Sequence, residues 1–451
     1  MRKLPILIAA ALILATSATA QSPTTYFMEG STLRSQYNPA FAPQRGYFNI
    51  PGLGGLNVNQ TGNITLDDIF YPREGKLVTL LDGSVSSTEA LANLKEVNTI
   101  GNDIRVNLIG FGQYARNQKN FWSFDLNLRT TADLSLPYSL FEFLKTGKDS
   151  TIKDLGVAAA SYLEAGFNYS FPLMNDKLYV GVRGKFLAGM ARTRFNYDQM
   201  DISFHEDMWR MAASGQFDIS AAGAGTDDLT HSSDGTYKIE DLDLKLNQPA
   251  GYGLAIDLGA TYDILPDLQA SLAVNDIGFI NWDKKMSSTG LSTEQMEFSG
   301  MTVDQNGAHT QPDFNLDILK FKVGEVSGTT TSLRASLNAG LEYKLTDYKL
   351  GFGVLYSARF WEYKTLQNIT GSVNYRPVSW LDLAASYSVI DNRGGAVGLA
   401  VNLCPKWINL FLATDILLSK HTPQWVPISQ SSMNVTLGLA IPMGKYGKRG
   451  E

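Results

Sequence analysis

Histidine and cysteine are the side chains of this 451-residue chain that could most readily bind a metal or act in catalysis. The four histidines are His205, His231, His309 and His421. None lies three to five residues from another histidine or from Cys404, the single cysteine, so the ligand spacing of a zinc site is absent. His205, which precedes Glu206 and Asp207, comes nearest to the paired histidine and carboxylate of a hydrolase. A loop histidine is more often a solvated residue, and we expect neither a catalytic site nor a metal.

Motifs that bind a cofactor or activate a serine are missing as well. Gly251-Tyr252-Gly253 lacks the third glycine of a dinucleotide-binding loop, and no Gly-x-Ser-x-Gly sequence occurs. The net charge of −6 disfavours a nucleic-acid partner. We therefore expect no cofactor and no nucleic acid to bind.

Charged residues instead recur at every second position of long extended stretches. Within Thr331–Trp361, apolar residues alternate with a polar set that includes Arg334, Glu342, Lys349 and Arg359. A two-residue period places alternate side chains on opposite faces of a strand, whereas a helix would scatter them. The stretch predicts a hairpin whose two strands are each about ten to fourteen residues long, a length that suits tilted strands crossing a bilayer. The hairpin alone is compatible with a soluble sandwich or with a membrane barrel.

The first twenty residues favour the membrane barrel. Arg2 and Lys3 precede the apolar run Leu4–Ala15, and Ala18-Thr19-Ala20 supplies small residues for cleavage, which predicts a signal peptide over residues 1–20. No other apolar run approaches the roughly eighteen residues of a membrane-spanning helix. We predict an exported protein of the outer membrane of a Gram-negative bacterium, in contact with outer-membrane lipid.

The amphipathic stretches predict an all-β fold, a transmembrane antiparallel β-barrel of about fourteen strands with long extracellular loops. Short and long connections alternate, as in barrels with short periplasmic turns and long outer loops. The predicted short links are residues 116–119, 173–176, 265–267, 345–347, 377–379 and 404–406. The predicted outer links are residues 60–102, 135–160, 192–250, 280–330, 362–365, 391–395 and 418–432. The barrel is predicted over residues 47–442, with residues 21–46 as a periplasmic or luminal segment and 443–451 as a periplasmic tail.

Regular structure in the outer links is predicted to be limited to short helices. These helices are expected at Ser86–Val97 and Pro137–Lys145. Arg192–Ala250 and Ile280–Thr330 are interpreted as long excursions from the barrel.

Thirteen charged residues on the polar faces form the predicted lining of the lumen. They are Arg105, Asp125, Arg129, Glu164, Arg183, Lys185, Asp257, Arg334, Glu342, Lys349, Arg359, Asp382 and Asp415. One interpretation is a polar conduit that selects solutes by charge. The other is mutual pairing that locks the interior, which the near balance of charges favours. Ile109, Leu355 and Phe411 also point inward, which suggests contact with an N-terminal segment or an apolar solute.

The segment Asn38-Pro39-Ala40-Phe41, the interruption at Pro51-Gly52 and the fourteen-strand pattern resemble the FadL-like superfamily of outer-membrane barrels. More closely, the chain resembles an uncharacterised barrel family of Bacteroidota-type bacteria, known only as a domain of unknown function. The FadL resemblance implies that Asn38, Pro39, Ala40 and Phe41 belong to a plug or hatch inside the lumen. It also implies that Pro51 and Gly52 kink a strand and open a lateral route for hydrophobic solutes.

Two functions follow from these expectations. The first is passage of small hydrophobic solutes across the outer membrane. The alternative is a non-transporting scaffold that binds a secretion or surface partner through its extracellular loops, as PorV-like relatives do in type IX secretion. The links at 192–250 and 280–330 would form the partner-binding surface in that case.

Overall fold

The computed structural model of the chain describes residues 23–65, 68–73, 76–205, 208–223, 248–292, 295–298, 322–323, 328–345, 349–391, 393–417 and 432–447. Its strands are β1 Arg45–Asn49, β2 Leu56–Gly62, β3 Phe70–Arg73, β4 Lys76–Thr79, β5 Val97–Tyr114, β6 Phe121–Pro137, β7 Ser150–Ile152, β8 Leu155–Leu173, β9 Leu178–His205, β10 Met208–Ala221, β11 Gly251–Leu265, β12 Leu268–Trp282, β13 Ser287–Ser292, β14 Gln295–Phe298, β15 Lys322–Val323, β16 Thr329–Ser332, β17 Ser336–Leu345, β18 Leu350–Phe360, β19 Thr365–Val378, β20 Leu381–Ile390, β21 Arg393–Leu403, β22 Asn409–Leu417 and β23 Ser432–Tyr446. The helices are α1 Arg34–Tyr37, α2 Ser87–Leu91 and α3 Tyr138–Thr146, with 3-10 turns at Pro23–Thr25 and Lys284–Met286.

Fourteen antiparallel wall positions form a closed ring. In order they are β1 with β2, then β5, β6, β8, β9, β11, β12, β16 with β17, and β18 to β23. The last strand, β23, pairs with both β1 and β2, which closes the barrel. The predicted fourteen-stranded antiparallel barrel is therefore confirmed. The wall runs from Arg45 to Tyr446, slightly past both predicted ends.

The two-residue alternation gives this wall an apolar outer surface and a polar inner surface. Along β6, Asp125, Asn127 and Arg129 are buried inside, while the side chains between them face outward. Leu254 and Val354 illustrate the outer belt, where large apolar side chains are more than half exposed. In water such a belt would be unfavourable, and in a bilayer it is the lipid-facing surface.

Connection lengths sort between the two ends of the barrel. At one end the strands are joined by short turns, at residues 115–120, 174–177, 266–267, 346–349, 379–380 and 404–408. At the other end the connections include every long one, at residues 63–96, 138–154, 206–250, 283–328 and 418–431. The predicted turn residues Thr346 and Asp347 lie outside the described residues.

The predicted excursion Arg192–Ala250 is partly wrong, because β9 continues to His205 and pairs with β10 beyond the wall. Phe195 of β9 packs against Phe217 of β10, with ring centroids 4.6 Å apart and ring planes tilted by 41°. Further apolar residues from β7, β9 and β10 bury around this pair. The β9–β10 hairpin thus has a small apolar core of its own, in a region that was predicted to be irregular.

Both predicted helices exist with shifted ends. The Ser86 side chain accepts a hydrogen bond from Glu89 N and caps α2, which ends at Leu91 rather than Val97. Val97 instead begins β5, where it pairs with Pro137 of the neighbouring strand β6. Among the described residues, no helix combines the length and apolar character needed to cross a membrane.

Candidate functional site: the barrel interior and the broken first strand

The N-terminal segment, residues 23–43, lies within the ring of strands and is almost wholly buried. Gly30 N donates a hydrogen bond of 2.6 Å to Asp382 Oδ2 on β20. On another part of the wall, the Tyr37 carbonyl accepts a hydrogen bond of 3.0 Å from Asn275 Nδ2 on β12. Inward-facing polar side chains thus bond to backbone groups of this segment, whose regular structure is limited to α1 and one 3-10 turn.

The predicted hatch residues Asn38, Pro39, Ala40 and Phe41 form a tight turn against the wall. Asn38 Oδ1 accepts a hydrogen bond of 2.9 Å from Ala40 N, which is the local turn that asparagine favours. The turn touches the backbone of β9 directly, because a Cβ placed on Gly181 would lie 2.0 Å from the Pro39 carbonyl carbon. Glycine at this position therefore makes room for the turn.

The predicted kink at Pro51 and Gly52 separates β1 from β2. Residues 51–53 are exposed on the outer surface, and Gly52 adopts a φ of 75°, in the left-handed region that favours glycine. The loop returns to the ladder through Gly52 N to the Asn107 carbonyl (3.2 Å) and Asn107 N to the Gly55 carbonyl (2.7 Å). Proline is tolerated here because its missing donor falls where the ladder is already interrupted.

An apolar patch lies directly inside this break. It consists of Met28 and Leu33 from the N-terminal segment and Ala384, Ala400, Phe411 and Ala413 from β20, β21 and β22. The patch reaches the break, because a Cβ on Gly55 would lie 3.0 Å from Leu33 Cδ2. Phe411 was expected to point inward, and its partners Met28 and Leu33 were not predicted. Around this patch the lumen is mostly polar.

A central ion network crosses the lumen from β5 to β12. Arg183, which is fully buried, contacts Asp125 and lies 3.1 Å from Glu164. Lys185 Nζ lies 2.7 Å from Asp257 Oδ2 and 2.5 Å from Asp276 Oδ1. Mutual pairing of opposite charges accounts for these side chains, since each carboxylate has a cation beside it.

Arg129 completes the central network with carboxylates that the sequence analysis missed. It lies 2.9 Å from Asp276 and 3.1 Å from Asp103. Asp276 adopts a φ of 61° beside a register shift between β11 and β12, so both Asn275 and Asp276 are buried inside. A bulge of this kind breaks the strict alternation from which inward residues were predicted.

The other predicted lining residues lie at several heights. Arg105 donates to Gln36 of the N-terminal segment (2.9 Å), and Arg334 pairs with Asp133 (2.5 Å). Arg359 is half-buried beside the N-terminal segment. Lys349 precedes β18 and is exposed.

A second cluster, the turn-end cluster, ties the N-terminal segment to the short-turn end. Its members are Glu29, Glu342, Lys344, Arg376 and Asp382. Lys344 Nζ lies 2.7 Å from Glu29 Oε1, and Arg376 Nη2 lies 2.6 Å from Glu29 Oε2. Burial raises the pKa of Glu29, but attraction to Lys344 and Arg376 outweighs it and holds the pKa well below the ordinary 4.5. Glu29 was not predicted, because the N-terminal segment has no periodic pattern.

Space inside the described part of the barrel is divided into small cavities. Five of them measure about 30, 20, 30, 90 and 10 Å³. A water molecule needs about 10–15 Å³ on this measure, and a cavity that takes benzene has about 150 Å³. In this conformation each cavity therefore has room for water and not for a hydrocarbon ring.

The candidate catalytic residues contribute little to this picture. His205 is the last residue of β9, and His231, His309 and His421 lie outside the described residues, as do Glu206 and Asp207. Within the described ranges, no three His, Cys, Asp or Glu residues are arranged to hold a metal ion.

A family model matches residues 39–415, most of the barrel and the hatch turn, and its description is a family of unknown function, DUF5723. The chain belongs to this family. The predicted resemblance to an uncharacterised barrel family is confirmed by this match. No curated protein matches the DUF5723 chain in sequence.

Solved structures similar to the DUF5723 barrel include a channel, a transporter and a FadL homologue. A deletion mutant of the monoaromatic hydrocarbon channel TodX has 12% identity and a TM-score of 0.46, covering 95% of this chain and 96% of that chain. The toluene transporter TbuX of Ralstonia pickettii has 10% identity and a TM-score of 0.42, covering 95% and 96%. A FadL homologue of Pseudomonas aeruginosa has 9% identity and a TM-score of 0.42, covering 94% and 98%. At this level of similarity, the solutes named for TodX and TbuX apply to those proteins and are not assigned to this chain.

Proposed function

We propose that the chain is an outer-membrane barrel that passes small hydrophobic solutes when its N-terminal segment moves. The observation that carries the proposal is the apolar patch behind the break between β1 and β2. A solute that leaves the lumen sideways through the wall must pass an opening in the ladder and needs an apolar surface beside it. Phe411, Ala400 and Ala413 of the wall supply that surface at the break once Met28 and Leu33 have moved away.

The N-terminal segment acts as the plug in this proposal. It covers the apolar patch with Met28 and Leu33 and leaves cavities too small for a ring-sized solute. Its contacts with the wall include hydrogen bonds that water can replace at modest cost. Movement of residues 23–43 would therefore uncover the patch without disturbing the wall hydrogen bonds.

Uptake of labelled toluene by Gram-negative cells that carry the barrel tests the proposal. Cells with the wild-type barrel are expected to take up toluene faster than cells with an empty vector. Phe411→Asn should lower this uptake, because it places an amide on the apolar patch. Leu187→Asn is the matched control, since Leu187 is equally buried inside β9 but belongs to an apolar cluster that contains no residue of the N-terminal segment.

Toluene uptake by wild-type cells no faster than by empty-vector cells would contradict the proposal. Equal loss of uptake in the Phe411 and Leu187 variants would also contradict it, because the patch at the break would then have no special role. Deletion of residues 24–43 tests the plug separately. The deletion should raise uptake of a hydrophilic dye as well as of toluene.

The scaffold function has one observation in its favour. The β9–β10 hairpin extends past the wall, carries its own apolar core and pairs with β13 and β14. Such an ordered platform could bind a secretion or surface partner. A partner that is captured by the full barrel and lost when residues 208–221 are replaced by a short linker, with toluene uptake unchanged, would favour the scaffold.

A further inference from the structure

The tip of the hairpin β18–β19, residues 361–364, belongs to the end of the barrel with the long connections, although it is itself short. Trp361 N donates a hydrogen bond of 2.9 Å to the Lys364 carbonyl and closes the tip as a tight turn. The alternation that turns Ser357 and Arg359 of β18 toward the lumen continues to Trp361, so its indole also points inward. Neither the plug nor the apolar patch accounts for an inward tryptophan at this end.

The indole of Trp361 packs against the far wall of the barrel. β18 and β5 stand on opposite sides of the ring of wall strands, yet a Cβ placed on Gly101 of β5 would overlap the Trp361 ring. Glycine at this position therefore leaves the space that the indole fills. The guanidinium of Arg334 lies over the same ring, with Cζ 5.0 Å from the ring centroid.

Arg334 crosses the lumen to the same wall. It comes from the break between β16 and β17, and its Nη1 donates a hydrogen bond of 2.8 Å to the Asn102 carbonyl on β5. Its Nη2 lies 2.5 Å from Asp133 Oδ2 on β6. Arg334 and residues 361–364 thus form a bridge of side chains between two walls, which we call the crossbar.

The rest of the hairpin tip extends the crossbar toward β8 and β9. Glu362 Oε1 lies 3.1 Å from Arg194 Nη2, and the Tyr363 hydroxyl donates a hydrogen bond of 3.2 Å to Asn196 Oδ1. Gly156 of β8 makes room for this hydroxyl, because a Cβ there would lie 2.5 Å from it. Side chains of the crossbar therefore contact β5, β6, β8 and β9.

A cavity of about 30 Å³ lies between the crossbar and the N-terminal segment. Trp361 and Arg334 of the crossbar line it, together with Gln36 and Tyr37 of the segment. The segment is attached at the short-turn end through Glu29, whereas the crossbar lies at the end with the long connections. The described part of the lumen therefore has two separate closures.

The crossbar can move without breaking the barrel wall. Its side chains come from residue 334 and residues 361–364, which lie outside the strands. The pair of Glu362 with Arg194 is well exposed, so it contributes little to the closed position. That position depends mainly on Trp361 against Gly101 and on Arg334 beside Asp133.

We propose that the crossbar is a gate at the long-connection end, and that displacement of Trp361 from Gly101 admits solutes to the lumen. Loops that close over a binding space and then open are a common way to control access. The gate goes beyond the passage of hydrophobic solutes, because it closes the lumen to any solute that is larger than water.

Thiol labelling of the purified full-length barrel in detergent tests the gate. Ser336→Cys places a reporter in the cavity below the crossbar, and Cys404→Ser removes the native thiol. Asn374→Cys, in the same Cys404→Ser background, places a second reporter in the cavity beside Glu29 at the short-turn end. A hydrophilic maleimide should label position 336 slowly while the crossbar is closed.

Removal of the indole should open the gate. Trp361→Ala should raise the labelling rate at position 336 about tenfold, because loss of the ring and of its contact with Arg334 raises the open population. Labelling at position 374 should stay unchanged, since the N-terminal segment still covers it. Trp361→Phe keeps a ring against Gly101 and should label position 336 more slowly than Trp361→Ala.

Trp380→Ala is the matched control, because it removes an exposed tryptophan from a short turn at the other end and should change neither rate. An unchanged rate at position 336 in Trp361→Ala would overturn the gate. Equally faster labelling at both reporter positions would also overturn it, because the tryptophan would then stabilise the barrel as a whole. The labelling rate does not measure passage of toluene, so the gate and the proposed function can fail separately.

Discussion

Lys344 Nζ lies 2.7 Å from Glu29 Oε1, and this ion pair joins the N-terminal segment to the barrel wall at its short-turn end. Arg376 holds the other oxygen of the same carboxylate at 2.6 Å. Other polar contacts of the segment with the wall have a charged group on one side only, as in Gly30 N to Asp382 and Arg105 to Gln36. Glu29, which pairs with two cations, is therefore its strongest electrostatic attachment to the wall among the described residues.

Replacing Glu29 by Gln should loosen the attachment of the N-terminal segment, the proposed plug, to the wall. Loss of the charge leaves Lys344 and Arg376 without this partner and should cost about 1–3 kcal/mol of docking free energy. Entry of a hydrophilic dye into proteoliposomes should rise several-fold. Glu142→Gln, an exposed position on α3, removes the same charge and should leave dye entry unchanged. Unchanged dye entry in the Glu29 variant would show that the pairing of Glu29 with Lys344 and Arg376 does not hold the segment in place.

The same carboxyl predicts a direction for the pH dependence of dye entry. The pKa of Glu29 is lowered on docking, so its stabilisation is fully present above the undocked pKa, near 4.5, and is lost as pH falls through the lower docked pKa. Dye entry should therefore be constant from neutral pH down to about 4.5 and rise only in more acidic solution. Glu29→Gln should already show raised entry at neutral pH and a smaller acid response. A rise between pH 7 and 5 in the wild type would contradict the assignment.

Removing Arg183 should destabilise the whole barrel. Arg183→Gln leaves Asp125 and Glu164 buried with less compensating charge, and breaking a buried pair in this way costs about 3–5 kcal/mol. Urea titration of the barrel folded in lipid vesicles measures the loss. Arg116→Gln, at an exposed turn, should change the unfolding free energy by less than about 0.5 kcal/mol. Equal midpoints for the two variants would show that the central network does not stabilise the fold.

A methyl group at Gly181 should displace the hatch turn. The added Cβ would lie 2.0 Å from the Pro39 carbonyl carbon, and its three nearest atoms all belong to the Pro39–Ala40 peptide, which must shift to make room. Gly181→Ala should therefore raise dye entry while the wall still forms. Gly184→Ala is the matched control on the same strand, because its Cβ meets nothing within 4 Å. If both variants behaved like the wild type, the turn at Asn38–Phe41 would not close the lumen.

The barrel itself was predictable because the information lies in local patterns. Along β6 and β18 every second side chain is apolar, and a strand between lipid and a polar lumen imposes that period on its own residues. The lengths of the connections added the second signal. Neither depends on knowing which strands meet.

The predictions failed where a strand departs from the two-residue alternation of polar and apolar side chains. Asp276 lies at a bulge that turns two successive polar side chains, Asn275 and Asp276, inward, whereas strict alternation admits only one of two neighbours. The outer hairpin of β9 and β10 is stabilised by side chains far apart in sequence, such as Phe195 and Phe217. The predicted alternating stretch Thr331–Trp361 is likewise interrupted near its start, because residues 333–335 separate β16 from β17.

The sequence by itself determined that this chain forms an antiparallel barrel, which face of each regular strand is apolar, and where the first strand is interrupted. Only the tertiary structure decided which charges pair, that Leu33 and Met28 cover Phe411, and that Glu29 reaches Lys344. The physical reason is closure of the ring. Closure places residues hundreds of positions apart around one narrow interior, where pairing depends on distance across the lumen, and the irregular N-terminal segment carries no periodic signal of where it lies.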